Sequence, residues 1–469
     1  MHDTPQVPYT PRVPSPRPHP VDSARREPAA PSALAPASFA QQRLWFLAQL
    51  PGGNEAYNEP VTFTLRGPLD TAVLRRALDA LVVRQQALRT RLVAVDGEVY
   101  QHIGPPETGF ALTADDLSGL PDSAARLDEL RLREATAPFD LARGPLCRGR
   151  LLTLGEDHHV LLLTAHHTIF EGRSMTVMMS ELGVLYAAVL DGRPSPPAPL
   201  PLQYTDHARA QRERVLSGGL AEHADFWQRP PADAPPLSGP PTGSPPTDSP
   251  RPAQQDLRGG ARVEFALEAD LTSGLRTPAR EHGRTLFGSV LTGWSLLMSR
   301  LSGRTGVVVG TPTAGRRHNE DLADVIGFFV NTLPLRADFS RTATTGEAVA
   351  HVGGVLREAL GHQDLPFEHI VELVNPVRGA APTPLFDEDT ARRYVRQLEQ
   401  VLTDMASLPE VRDFRRRRAE NGFRVEPLDC DHREALESST SPRVAAVLGA
   451  ELAALAPLSV AAPAVSEEA

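Results

Sequence analysis

A chain of 469 residues is long enough for two or three core-forming units. Its formal net charge of -10 gives a whole-molecule field that invites neither nucleic acid nor an anionic membrane surface. The cysteines, Cys147 and Cys430, lie far apart and without C-x-x-C spacing, which points to a reduced, cytoplasmic setting and away from a disulfide framework or a zinc site.

Residues 1–36 carry Pro5, Pro8, Pro11, Pro14, Pro16, Pro18 and Pro20. Such a segment buries no core and is predicted to stay extended or disordered; it also lacks the charged-then-apolar pattern of a signal peptide. A first unit follows over 37–228. Within it Asp70 is placed to cap a helix whose Val73, Leu74, Ala77, Leu78, Leu81 and Val82 form one apolar face. The run His159 to Thr164 reads as a buried strand, and Met175 to Leu190 as a helix. Residues 229–254 are rich in Pro, Gly, Ser and Asp, the composition of a linker. In the second unit, 255–412, Thr285 to Leu301 is predicted helical, and Gly306 to Thr311 and Phe328 to Leu335 are predicted strands. The remainder, 413–469, is basic at Arg415 to Arg418 and then Ala-rich. The basic run has no interleaved aromatics and reads as a solvated helix end. Glu451, Pro457 and Pro463 interrupt the apolar stretch Val444 to Val465 and argue against a membrane span.

The chemistry-bearing stretch is His166-His167-Thr168-Ile169-Phe170-Glu171-Gly172, delivered by the strand that precedes it. Successive strand residues face opposite ways, so only one of the two imidazoles faces a given cavity. Histidine, with its pKa nearest neutrality, suits proton acceptance or donation. His158, His159, His166 and His167 have no acid or cysteine at metal-ligand spacing nearby, so no metal is expected.

That stretch resembles the HHxxxDG motif of the condensation domains of nonribosomal peptide synthetases, and further motifs of that family follow in order. Ser38-Phe39-Ala40-Gln41-Gln42-Arg43-Leu44-Trp45 looks like the first motif, and Arg84-Gln85-Gln86-Ala87-Leu88-Arg89-Thr90 is similar to RHExLRT. Tyr204-Thr205-Asp206-His207-Ala208 is similar to YxDFA, with His for Phe. Ile326-Gly327-Phe328-Phe329-Val330-Asn331-Thr332-Leu333 is similar to IGxFVNTL, and His362-Gln363-Asp364-Leu365-Pro366-Phe367-Glu368 to HQDxPFE. The resemblance implies an α/β fold of two chloramphenicol-acetyltransferase-like sandwich lobes with the active site in a tunnel between them. It implies that His167 is the catalytic imidazole, as general base or as a hydrogen-bonding group that orients the nucleophile. It implies that His166 points into the lobe and holds the loop, and that the Gly172 N–H faces the reacting carbonyl. Glu171 stands where the family has Asp, an acid chiefly structural there, and Arg316 matches its arginine partner. Being one methylene longer, Glu171 either keeps that pair with a shifted loop or misses it.

The same resemblance implies a free-standing acyltransferase of natural-product biosynthesis, joining a carrier-bound acyl or aminoacyl thioester to an amine or an alcohol. No cofactor is expected to bind; substrates arrive on the phosphopantetheine of one or two carrier proteins, with no nucleic acid or membrane as partner. Two alternatives stand beside this reading, a non-catalytic recruitment module and a coenzyme A-dependent acyltransferase. One departure bears on them. The family's strands between the segment after HQDxPFE and the closing helix are missing here, since Pro384-Leu385-Phe386 runs into a helix start at Asp387 to Tyr394. Phe423 to Asp429 weakly resembles one of those strands, displaced. A shortened second sheet leaves backbone groups in need of partners.

Overall fold

The computed structural model describes residues 34–50, 53–193, 199–228, 265–316, 319–374, 385–386, 388–407 and 444–445. The first lobe comprises β1 (Leu34–Pro36), α1 (Phe39–Leu47), β2 (Asn58–Arg66), α2 (Thr71–Arg84), β3 (Thr90–Val95), β4 (Glu98–Ile103), β5 (Ala111–Asp116), α3 (Ser123–Thr136), β6 (Cys147–Gly155), β7 (His158–His166), α4 (Gly172–Leu190), α5 (Tyr204–Leu216) and α6 (Ala221–Gln228). Its main sheet has the order β2-β7-β6-β5, antiparallel except for the parallel β5–β6 pair, and a smaller sheet has the order β1-β4-β3.

The apolar run of β7 is continuous because both faces of the strand are covered. Leu161, Leu163 and Ala165 pack on one side with residues of α2 and α4, while Val160 and Leu162 pack on the other with Leu117, Leu130 and Leu152. Each leucine removed from water in this way contributes about 1.5–3 kcal/mol. Helix α2 starts where Asp70 accepts from the Ala72 and Val73 N–H groups, and it buries the face Val73, Leu74, Ala77, Leu78, Leu81 and Val82. Cys147 opens β6 inside this core, and burial pushes its thiol up to about 12.

The second lobe contains α7 (Ala269–Glu281), α8 (Leu286–Ser302), β8 (Gly306–Thr313), β9 (Asn331–Asp338), α9 (Thr345–Gly361), α10 (Phe367–Val374), β10 (Leu385–Phe386), α11 (Glu388–Ser407) and the short β11 (Val444–Ala445), which pairs with β10. Thr285 caps α8, and Thr344 caps α9 in a reciprocal box with Glu347. Leu291, Leu297, Leu335, Val349, Val352, Leu398 and Leu402 build a separate core between β8–β9 and the helices α8, α9 and α11. Among the described residues this sheet has two strands.

Two sequence expectations need correction. The disordered tail was expected to reach residue 36, but Leu34–Pro36 pairs with β4, buries Ala35, and has the Pro36 carbonyl accepting from Gln101 Nε2. The strand expected over Phe328–Leu335 starts at Asn331, because the Phe328 carbonyl and Phe329 N–H are engaged by Tyr204 and Glu171 instead of a neighbouring strand. The linker 229–254, the segment Phe423–Asp429 and the basic run at Arg415 lie outside the described residues. No helix among the described residues is long and apolar enough to cross a membrane.

Candidate active site

Strand β7 ends at His166, and the loop Thr168–Phe170 carries the chain into α4. Strand alternation sets His166 on the side of Val160 and Leu162, where it is fully buried edge-on to Tyr57 and Phe139. Its Nδ1 accepts from the Thr168 N–H at 3.2 Å and lies 2.9 Å from the Thr168 hydroxyl. The ring proton therefore sits on Nε2, which is buried beside the Asn54 backbone without reaching hydrogen-bond geometry. Burial first, and His167 second, lower the His166 pKa to about 3, so this imidazole stays neutral.

His167 is held differently. Its N–H donates to the Tyr57 carbonyl, and its Nδ1 stands 2.6 Å from the Phe170 carbonyl. A carbonyl only accepts, so Nδ1 carries the proton and the Nε2 lone pair of the neutral ring is left for another group. The side chain is 24 % exposed and leans on the Phe328 ring at 4.5 Å. Nε2 lies 3.7 Å from Oε1 of Glu59, a residue of β2 that pairs with Ala165.

Glu171 precedes α4 and is buried. Its Oε1 accepts from Arg316 Nε at 2.9 Å and Nη2 at 2.8 Å, and its Oε2 accepts from the Phe329 N–H at 3.0 Å. The longer side chain thus reaches its arginine. Arg316 also donates to the Leu322 and Val325 carbonyls and to Ser174 Oγ, so each of its five N–H groups has an acceptor, and it stacks over Phe329. Burial pushes the Glu171 carboxyl up and the Arg316 guanidinium down, each opposed by the other's charge. This pair is an anchor: Arg316 has no donor left for a substrate, and the Glu171 carboxylate is buried.

Gly172 begins α4 and faces open space: a Cβ added there meets nothing within 4 Å. No side chain caps this helix end, so its first N–H groups have no side-chain partner. A half-buried imidazole nitrogen without a hydrogen bond thus lies 3.7 Å from a carboxylate, on the loop that leads into an uncapped helix start.

Other motif residues act as clamps. Ser38 Oγ meets Tyr204 Oη at 2.8 Å, and that hydroxyl donates to the Phe328 carbonyl. Gln41 Nε2 donates to the Thr168 carbonyl of the histidine loop. Gln85 ties Glu181 to the second lobe, donating to the Asp324 carbonyl and accepting from the Ile326 N–H. Asn331 secures the HQDxPFE segment through the Gln363 and Leu365 carbonyls and the Phe367 N–H. His207, in the place of the motif's Phe, packs against Phe329 and Tyr204, and desolvation lowers its pKa to about 4. Sequence reasoning did not find Glu59, although the signal was present: β2 alternates Glu59, Val61, Phe63 and Leu65 on one face. No cluster of three or more metal-ligating side chains occurs among the described residues.

Comparison with known proteins gives a match of residues 32–427 to the family model described as Condensation domain. Malpinin synthetase of Mortierella alpina is 42 % identical over 351 residues, which are 75 % of this chain and 4 % of that protein. The chain spans only a small part of the length of such curated relatives. Among solved structures, the X-domain from teicoplanin biosynthesis superposes with a TM-score of 0.70 at 26 % identity, covering 83 % of this chain and 98 % of the X-domain. The X-domain in complex with OxyB, also from teicoplanin biosynthesis, superposes with a TM-score of 0.68 at 27 % identity, covering 83 % and 96 %.

Proposed function

The chain belongs to the condensation domain family, and on that footing we propose that it joins a carrier-bound acyl or aminoacyl thioester to a nucleophilic acceptor. The observation that supports this reading most is the state of His167, with Nδ1 fixed on the Phe170 carbonyl and Nε2 left without a hydrogen bond on a partly exposed ring. A thioester is already activated, so holding acceptor and donor in register supplies much of the rate. In this reading His167 Nε2 accepts a hydrogen bond from the acceptor, orients its lone pair and takes its proton as the new bond forms. Backbone donors at the start of α4, Gly172 among them, stabilise the oxyanion of the tetrahedral intermediate. His166, neutral and enclosed, fixes the loop, and Glu171 with Arg316 fixes the entry to α4. The thioesters arrive on the phosphopantetheine arms of carrier proteins.

Intact-mass detection of product from carrier-bound donors tests this. Wild-type turnover that falls about 100-fold or more in a folded His167→Ala variant supports the reading; full turnover in that variant overturns it.

A second reading is a recruitment module without chemistry of its own. It is favoured by the teicoplanin X-domain, which has been solved bound to OxyB, and by the two-stranded second sheet among the described residues. No turnover in any folded variant, together with saturable binding to a partner enzyme, would move the assignment there.

A further inference from the structure

The second lobe carries a cluster of cations with no carboxylate to match them. Arg276 and Arg280 stand one turn apart on α7 and share a face of that helix. Gly283, at φ +61°, then reverses the chain; its N–H donates to the Arg280 carbonyl, and the Arg284 N–H donates to the Ala279 carbonyl. The reversal brings Arg284 to the same place. The three arginines, with Ala279, Thr285 and Leu286, line a cavity of about 250 Å³ between the end of α7 and the start of α8.

Arg284 is seated there. It is half-buried, and its Nη2 donates to the Ala350 carbonyl at 3.2 Å. Its stem lies on Gly353, inside α9: a Cβ at 353 would stand 2.5 Å from Arg284 Cδ and 2.8 Å from Nε. Glycine is unfavourable inside a helix, so this residue serves the seat and not α9. A cation drawn partly out of water needs a counter-charge. Arg84, Arg148, Arg150 and Arg316, partly buried as well, each hold a carboxylate. Arg284 holds none. Among the described residues one of its five N–H groups has an acceptor, its Nε is buried without one, and no carboxylate lines the cavity. Arg276 and Arg280 are exposed, make no ion pair among the described residues, and add two charges of the same sign.

The group that satisfies this arrangement is an oxyanion. Guanidinium forks match the oxygens of a phosphate with paired N–H donors, and several like cations favour a dianion over a carboxylate. The start of α8, a helix of 17 residues whose Thr285 cap lines the cavity, adds positive partial charge. The volume lies below the roughly 300 Å³ at which sites for drug-sized ligands begin, which suits a head group rather than a whole cofactor.

We propose that this cavity binds a phosphoryl dianion, free or at the end of a phosphate monoester, with Arg284 as its fixed contact and Arg276 and Arg280 closing on it from α7. None of its residues belongs to the histidine loop or to the Glu171–Arg316 anchor, so the site stands independently of acyl transfer.

Calorimetric titration and thermal unfolding of the full chain test this, with inorganic phosphate, diphosphate and glycerol phosphate as probes at an ionic strength held constant with chloride. Wild type is expected to bind at least one probe saturably and to unfold at a higher temperature in its presence. Arg284→Met should weaken that binding by about 10-fold or more. Gly353→Ala keeps every charge but displaces the Arg284 stem, and should weaken it as well. The double variant Arg276→Gln, Arg280→Gln changes exposed residues only, so it reads the cluster even where a change at the seat disturbs folding; it too should lose about 10-fold. Tighter binding of glycerol phosphate than of inorganic phosphate assigns the occupant to a phosphate ester, and the reverse order to the free ion. The proposal is overturned if no probe binds saturably by about 10 mM, if acetate binds as tightly as the phosphates, or if Arg284→Met and the double variant both bind as wild type does.

Discussion

In the first lobe a four-stranded sheet is covered on both faces, and the strand that ends in the histidine pair runs through its middle, between β2 and β6. In the second lobe, among the described residues, two strands are covered by helices, and the lobe reaches the site through the loop before β9 rather than through the sheet. The histidine loop thus rests on a framework the first lobe completes by itself. The second lobe's contribution depends on a buried joint: a small apolar cluster of Leu44, Tyr204, Leu322, Val325, Phe328 and Phe329, fastened by Glu171 and Arg316. Apolar area holds each lobe together and also fills the joint, where the Glu171–Arg316 pair and its hydrogen bonds fix how the two meet.

Cutting the fastening should break that division most severely. Arg316→Met leaves the Glu171 carboxylate buried without its cation, and a loss of about 3–5 kcal/mol is expected in denaturant unfolding. A loss below about 1 kcal/mol would mean that the apolar cluster alone carries the joint.

Acid should separate the two regions next. His166 lies in the first lobe and His207 in the joint, and burial lowers both from the usual value, to about 3 and about 4. Unfolded histidines take up protons below about 6.5, while the folded ones stay neutral, so this stability is complete above that pH and is lost as pH falls towards the folded values. Each contributes about 2 kcal/mol of loss between pH 7 and pH 5, about 4 kcal/mol together. Unfolding curves at the two pH values check the sum. His207→Phe should remove about half of the difference and leave the first-lobe half in place; an unchanged difference would show that His207 is not the joint's acid-sensitive group.

Shortening the anchor is a milder cut. Glu171 spans both Arg316 and the Phe329 N–H, so Glu171→Asp withdraws one or more of these bonds, at an expected cost of about 1–3 kcal/mol and slower turnover. Faster turnover would mean the extra methylene is a handicap. The smallest effect is expected from Ser38→Ala, which removes the α1 cap and the contact to Tyr204, at about 1 kcal/mol in thermal unfolding.

Much of this arrangement was legible in residue order. The apolar spacing after Asp70 gave α2 with its buried face, and the run to His166 gave β7, because local periodicity and capping decide such elements. Alternation at the strand end separates an enclosed His166 from an outward His167 for the same reason. The Phe328–Val330 segment misled because its apolar, β-forming residues are satisfied by Tyr204 and Glu171, partners 124 and 158 residues away that no local pattern contains. Leu34–Pro36 misled in the opposite sense, since proline density hid an edge pairing. Glu59 was visible only to a period-two reading that asks why a carboxylate occupies an apolar register.

Cys147 gives the first lobe a reporter of its own. Its thiol is enclosed in the core at the start of β6, and with its pKa pushed up to about 12 it holds almost no thiolate at neutral pH. An alkylating reagent can mark it only in molecules whose sheet has opened, and peptide mass mapping keeps that mark distinct from any on Cys430. The alkylation rate in native buffer is then a stopwatch for breathing of the histidine-bearing sheet, one that runs without denaturant and ignores the second lobe.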